Sequence, residues 1–220
     1  VPLKVKRRIH NKKMKFNEFH VGNIEISDYA NKKMLITDNL TNKPIRIQIP
    51  RMYIPFGVSN FIPEVGETKW NIDFSMKGYN EDGNIVKEFY EFLRAVEERV
   101  IDSVHEQSQF IFGKTMSRDV LATMFNSNIK ESTDREPKFR VKYDPRTTRV
   151  FDCDDVDITS EASDKMYSQC SGVALTEIGN VYFLNRKFGI VWKMPQIKIF
   201  EPQRLKGFQF KDGYSWADDE

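Results

Sequence analysis

Cysteine and histidine are scarce in this chain, with two of the first and three of the second in 220 residues. Cys153 and Cys170 are too few for a disulfide framework, and they stand at no spacing that zinc or thioredoxin-like chemistry uses, which points to a reducing, intracellular setting. His10, His20 and His105 are scattered, and His105-Glu106 lacks the second histidine of a zinc-protease helix. Also missing are a phosphate-cradling Gly-Lys-Ser/Thr loop, a Gly-x-Ser-x-Gly elbow and a dinucleotide fingerprint. The acids at 152, 154, 155 and 157 suggest calcium, but the positions an EF-hand needs for its glycine and last glutamate hold Asp157 and Ser163. They read as a solvated loop. No catalytic residue, metal site or cofactor is expected, and the chain reads as a non-enzyme. No apolar run approaches a membrane span, and no cationic start leads into the apolar block of a secretory signal. The expectation is therefore a soluble protein with no membrane partner.

Rings and unevenly spread charge are what the chain does have. Aromatic residues make up 13%, 17 of them phenylalanine, and hydrophobic residues 40%, the composition of a folded domain with one substantial core. Net charge is only +2, so no global field marks a polyanion partner and the distribution must be read instead. The first fifteen residues hold seven Lys or Arg and no acid, whereas 152–164 hold six acids and no base. Three parts follow: a basic N-terminal arm at 1–30 with a short strand near its "VGNIEI" stretch, a single domain at 31–210, and a short acidic tail at 211–220.

Periodicity sorts the middle part into strands, helices, then strands again. In "IRIQIPRMYI" Ile45, Ile47 and Ile49 alternate with Arg46 and Gln48, and in "GETKWNIDFSMKG" Trp70, Ile72, Phe74 and Met76 alternate with Lys69, Asn71, Asp73 and Ser75. From Asn84, as N-cap, to Gln107 the period changes to three and four, with Val86, Phe89, Leu93, Val96, Val100 and Val104 on one stripe of a long helix. A second helix begins at Ser117, and helical insertion is expected over about 84–128. "KFRVKYDPRTTRVFD" reads as a hairpin turning at Asp144-Pro145-Arg146-Thr147. The last strands are separated at Gly179-Asn180 and by a turn at Lys187 to Gly189. Pro195 assigns the final one to a sheet edge or a bulge. This order predicts an α+β, mostly β fold: an oligonucleotide-binding (OB-fold-like) five-stranded barrel with a long amphipathic helix inserted between strands. A twisted α+β sandwich leaves the same pattern.

The chemistry that remains is binding. Single-stranded nucleic acid is held by a positive groove tracking its phosphates and by rings that stack on its bases. Candidates for that work are Arg46, Arg51 and Tyr53 on one strand region, Lys69 and Trp70 on the next, Arg140, Lys142 and Tyr143 on the third with Arg149 after the turn, and Tyr182, Lys193 and Lys198 near the end. Alternating charges are equally what any half-buried strand shows its solvent, and Trp70, Phe74 and Trp192 also suit a core. A virion structural or scaffold protein using the same barrel for protein contacts is the competing reading.

The segments "RKFGIVWKMPQIKIFEPQRLKGFQF", "IVKEFYEFLRAVEERVIDSV" and "KFRVKYDPRTTRVFD" together resemble the single-stranded DNA-binding proteins of nucleocytoplasmic large DNA viruses, distant relatives of a phage replication protein built on an oligonucleotide-binding barrel. The resemblance spans about 33–210 and lies in the order of elements rather than in a short motif. It implies non-catalytic coating of single-stranded DNA during viral DNA replication, recombination or repair, inside the host cell at replication sites. It points to Arg46, Lys69, Trp70, Arg140, Lys142 and Arg149, makes Lys193 and Lys198 groove-lining cations, and sets Trp192 and Phe200 on the packing side. Self-association and docking of replication proteins on the tail are further implied partners, although the tail has only Asp218, Asp219 and Glu220 after Trp216, shorter than the phage pattern.

Overall fold

The computed structural model describes residues 14–64, 66–161 and 167–202. The basic run before residue 14 and the acidic tail lie outside them. Residues 14–30, counted above with the arm, are folded in: Phe16 is buried edge-on against Phe89 and Phe92, with ring centroids 5.0 and 5.8 Å away. Two single-turn 3-10 helices, Phe16–Glu18 and Val21–Asn23, lead into strand β1 (Ile24–Ile26).

Strands follow as β2 (Lys33–Asp38), β3 (Ile45–Gln48), β4 (Met52–Ile54), β5 (Val58–Phe61) and β6 (Lys69–Ser75). Helices α1 (Ile85–Glu106), α2 (Ser108–Phe112) and α3 (Arg118–Met124) come next. The chain closes with β7 (Ile129–Lys130), β8 (Lys138–Tyr143), β9 (Arg149–Phe151), β10 (Cys170–Leu184) and β11 (Lys187–Phe200). The mostly-β class and the helical insertion are as expected, but a closed five-stranded barrel is not what forms. Among the described residues the strands make one open 11-stranded mixed sheet in the order β1-β2-β10-β11-β8-β6-β5, with β3 and β4 on β10, β7 on β8 and β9 on β11. The two ends of that path, β1 and β5, do not pair.

The helix begins where the sequence signals it. Asn84 accepts a hydrogen bond from Val86 N, and the apolar stripe of α1 is buried. Phe89 meets Phe139 of β8 edge-on at 5.4 Å, and Phe139 meets Trp192 of β11 at 5.2 Å. This defines an inner side of the sheet, filled by Ile72, Phe74, Phe139, Ile178 and Trp192, on which α1 packs. Trp192 is 2% exposed and belongs to the core.

β10 and β11 form the spine, where three expectations change and a fourth, the edge or bulge at Pro195, is decided as a bulge. The strand is continuous through Gly179-Asn180, which is a bulge and not a break: Ile178 faces Trp192 while Val181 faces Ile190. Gly179 is needed there because a Cβ would sit 2.9 Å from Val191 O. The turn is Asn185-Arg186, both at positive φ (50° and 60°), a two-residue hairpin whose backbone twist suits the flanking strands. β11 is not an edge strand, since it lies between β10 and β8/β9; the bulge expected at Pro195 does occur, with Leu175 facing Gln196 and Glu177 facing Lys193. One extra residue there inverts the alternation. Trp192 and Met194 point inward, but so then do Ile197 and Ile199, which puts Phe200 on the outer side with Lys198 rather than in the core.

The expected hairpin at 138–151 does not form either. β8 and β9 do not pair with each other; both run parallel to β11, through Lys142–Lys193 and then Arg149–Gln196 to Phe151–Lys198. The Asp144–Thr148 turn is a loop out of one interrupted strand. It sits opposite Pro195, which has no N–H to give the ladder, and the buried Thr148 hydroxyl donates to Met194 O at 2.7 Å.

Candidate nucleic-acid interface

Residues directly opposite one another in a sheet point to the same side, so the pairing register assigns each candidate to a face. One row runs across six strands on the outer side: Arg46 (β3), Glu177 (β10), Lys193 (β11), Lys142 (β8), Asn71 (β6) and Ser59 (β5). At roughly 4.8 Å per strand it spans about 24 Å. Lys69 and Arg140 share this side by alternation along β6 and β8. Further along the spine, Gln196 faces Arg149 and Lys198 faces Phe151, and Ser171 lies between Tyr53 and Phe200. Arg51 donates from Nε to Ser171 Oγ at 2.8 Å, and its guanidinium stands 4.0 Å over the Phe200 ring. All the cationic candidates and Tyr53 therefore share the outer face, opposite the side on which α1 packs. Trp70 and Tyr143 do not: they pair with each other on the inner side, Tyr143 buried against Tyr167 and Trp70 half-buried. Their period-two position placed them with the core all along.

Being on the face is not the same as being available. Arg140 holds Asp73 with two hydrogen bonds, Nε to Oδ1 at 2.7 Å and Nη2 to Oδ2 at 2.8 Å, and Lys138 Nζ stands 3.5 Å from Oδ2. Burial opposes ionisation of Asp73, but the Arg140 hydrogen bonds and charge, with Lys138, outweigh it and hold the carboxyl below its ordinary range. Arg140 is thus a structural cation. Glu177 accepts from Arg46 at 2.7 Å and lies 3.8 Å from Lys193, so it partly neutralises both. The acidic loop supplies Asp155 to Lys198 at 2.7 Å and Asp157 to Arg149. Hydrogen bonds from the Thr159 hydroxyl and N–H, then from Arg149, pull the Asp157 carboxyl down to about 2. Lys69 and Lys142 have no ion pair within 4 Å among the described residues.

Those two lysines open into a cleft of about 460 Å³ whose floor includes Ile190, Val191 and Trp192 and whose far wall is the 126–130 segment with Tyr182. The wall is held from below. Glu97 of α1, buried, accepts from Ser127 Oγ at 2.6 Å and Asn128 N at 3.2 Å. Burial pushes the Glu97 carboxyl up, against those hydrogen bonds and the nearby Arg94 charge. Asn126 donates to the Tyr182 hydroxyl at 2.7 Å, which fixes the ring at the cleft rim. Lys130 adds a cation whose pKa is lowered by burial and by Arg140.

The sequence reading named Tyr182 but missed the 126–130 part of this wall and the whole of β5. Tyr182 is readable from the sequence as an outward residue of a strand, but the 126–130 segment joins the sheet through long-range bonds that no local pattern marks: Asn126 N donates to Phe188 O, Arg140 N donates to Asn128 O, and Ile129 and Lys130 pair with Phe139 and Lys138 of β8. No cluster of His, Cys, Asp and Glu able to hold a metal occurs among the described residues, and no helix there is long and apolar enough to cross a membrane.

Among solved structures, the chain is similar to a C-terminally truncated single-stranded DNA-binding protein of bacteriophage Enc34 (12% identity, covering 84% of this chain and 99% of that one, TM-score 0.47). It is also similar to gp2.5, a single-stranded DNA-binding protein encoded by bacteriophage T7 (10% identity, 79% and 99% covered, TM-score 0.49). At those values the likeness carries no functional argument. No curated protein matches the sequence. Residues 79–218, which run from the entrance of α1 through both spine strands, match the family described as "Family of unknown function (DUF5871)", and the chain belongs to that family.

Proposed function

We propose that the outer face binds single-stranded DNA without strong sequence preference, as a non-catalytic coat during viral DNA replication, recombination or repair. One observation carries the reading. Cations from strands far apart in sequence, Arg46, Lys69, Lys142 and Lys193, converge on one face that leads into a cleft, and α1 packs on the other side. Such a trough neutralises successive phosphates of a flexible chain and reads no base edge, which is the electrostatics of sequence-tolerant binding. In this reading the sheet is an opened relative of the oligonucleotide-binding barrel, residues 31–210 are one domain, and the protein works inside the host cell at viral replication sites. Replication proteins bound through the acidic tail, and self-association, belong to the same proposal.

The test is titration of fluorescein-labelled oligo-dT at several salt concentrations. Binding that weakens steeply with salt and favours single strands over duplex is expected. Replacing Lys69 and Lys142 together by alanine should lower affinity for every sequence alike and reduce the slope of log K against log salt by about 1.4, at about 0.7 per lost phosphate contact. A wild-type protein indifferent to DNA, co-purifying instead with capsid, would favour the virion structural role.

A further inference from the structure

We propose that Phe61, on a strand absent from the sequence reading, is the stacking residue of this interface, and that the β5 edge beside Lys69 is a base-stacking platform. This rests on the reading of the outer face as a single-stranded DNA site and names where its bases go. β5 pairs antiparallel with β6, and Phe61 is directly opposite Lys69, with Ser59 opposite Asn71. Phe61 therefore projects to the same side as the cleft lysines, one strand away from Lys69 and two from Lys142. Phe61 is 60% exposed, so its ring is open to a ligand on the face it shares with Lys69. Among the described residues no aromatic ring or cation is seated on it.

The same segment contains a natural comparison. Phe56 is 57% exposed, almost as much, but the Lys138 ammonium already stands 4.9 Å from its ring centroid. Lys138 is opposite Ser75, at the far end of β6 from Lys69. Six residues of strand put that end about 20 Å away. Two equally exposed phenylalanines thus differ in what the proposal requires: an uncovered face, and a phosphate-binding cation beside it. The geometry fits one nucleotide unit, with a phosphate on Lys69 or Lys142 and the attached base laid against Phe61. Any base has a π face, so the platform adds affinity without adding sequence preference.

The experiment compares Phe61→Leu, Phe61→Trp and Phe56→Leu, with Lys69→Ala/Lys142→Ala as the control on the underlying reading, all by anisotropy with labelled oligo-dT across a salt series. Circular dichroism would establish that each variant is folded, as expected for changes at exposed positions. F61L should weaken binding by roughly 5- to 150-fold, the range of one lost stack, at an unchanged salt slope, because no charge is removed. F61W should bind as well as the parent, and the new indole should be quenched on saturation. F56L should bind within about twofold of the parent. If the lysine variant loses affinity while F61L binds like the parent, or F56L is affected as much as F61L, the platform is refuted and the interface stands. If the lysine variant binds like the parent, the interface itself is refuted and the platform with it.

Discussion

Arg140 and Lys142 sit two residues apart on one strand and one face, and sequence alone treats them as equivalent phosphate ligands; the structure separates them. Removing the Arg140 guanidinium deletes both close hydrogen bonds to Asp73, whose side chain is 7% exposed, and leaves only Lys138 at 3.5 Å. Breaking a buried pair from one side costs about 3–5 kcal/mol. The Arg140 side chain is 40% exposed and Lys138 remains, so the lower end is discounted further, to about 2–3 kcal/mol. For a domain of this size that is a fall in Tm of roughly 4–12 °C. Lys142→Ala should leave Tm within about 2 °C, since exposed substitutions lie within about 0.5 kcal/mol. The assay is thermal unfolding followed by circular dichroism, paired with oligo-dT titration of the same samples. The pair also has a pH signature. Because Asp73 is held below its ordinary range in the folded protein, its contribution is present at and above the usual aspartate range and is lost as pH falls through the lowered value. Arg140→Ala should therefore lose less stability than the parent between about pH 5 and pH 3. Adding Asp73→Asn to Arg140→Ala should recover part of the loss, as the stranded charge is removed. An Arg140→Ala protein with unchanged Tm and a salt slope reduced by about 0.7 would refute this reasoning, for it would mean the guanidinium serves phosphate and not Asp73.

Glu177→Gln releases Arg46 and Lys193 together and should tighten oligo-dT binding several-fold with a steeper salt slope; weaker binding would mean that Glu177 holds those side chains in their productive positions. Glu97 has a raised pKa, so its ionisation is a cost that grows as pH rises above the usual glutamate range, and Glu97→Gln should flatten the fall in stability that begins there, followed by urea titrations across a pH series. Gly189→Ala should disturb the cleft wall selectively, because a Cβ there would meet Asn126 O at 2.7 Å and the Tyr182 hydroxyl at 2.9 Å. A cost of about 1–3 kcal/mol with weakened DNA binding is expected, and a variant indistinguishable from the parent in both measurements would contradict the packing described.

Much of the framework was legible in the chain because local rules decide it. The 3.6-residue stripe from Val86 to Val104 and the Asn84 cap specify α1 whatever surrounds it, and the period-two runs at 45–49, 69–76 and 138–143 say which residues share a face. Two readings failed, and one was left between two outcomes, where a decision was non-local. Pro195 reads as an edge or a bulge, and the partners β10 on one side and β9 on the other, which make it the bulge of a central strand, come from segments brought up from elsewhere in the chain. The resemblance sets Phe200 with Trp192, but the residue inserted at Pro195 inverts the alternation between them and turns Phe200 outward. Asp144-Pro145-Arg146-Thr147 is good turn chemistry, yet whether the chain reverses or resumes its direction after a turn depends on which strand offers hydrogen bonds, and β11 offers them to both β8 and β9.

The same division holds for the candidate site. Alternation by itself determined that Arg46, Lys69, Lys142 and Lys193 point away from the core, since side-chain period is a property of the single strand. Tertiary structure alone decided that their faces are one face, that Arg140 is spent on Asp73, that the 126–130 segment walls a cleft, and that Phe61 stands opposite Lys69. Each of these is a pairing between residues distant in sequence. A charge or a ring carries no mark of its partner until the chain has folded and burial has set which groups must be neutralised within reach.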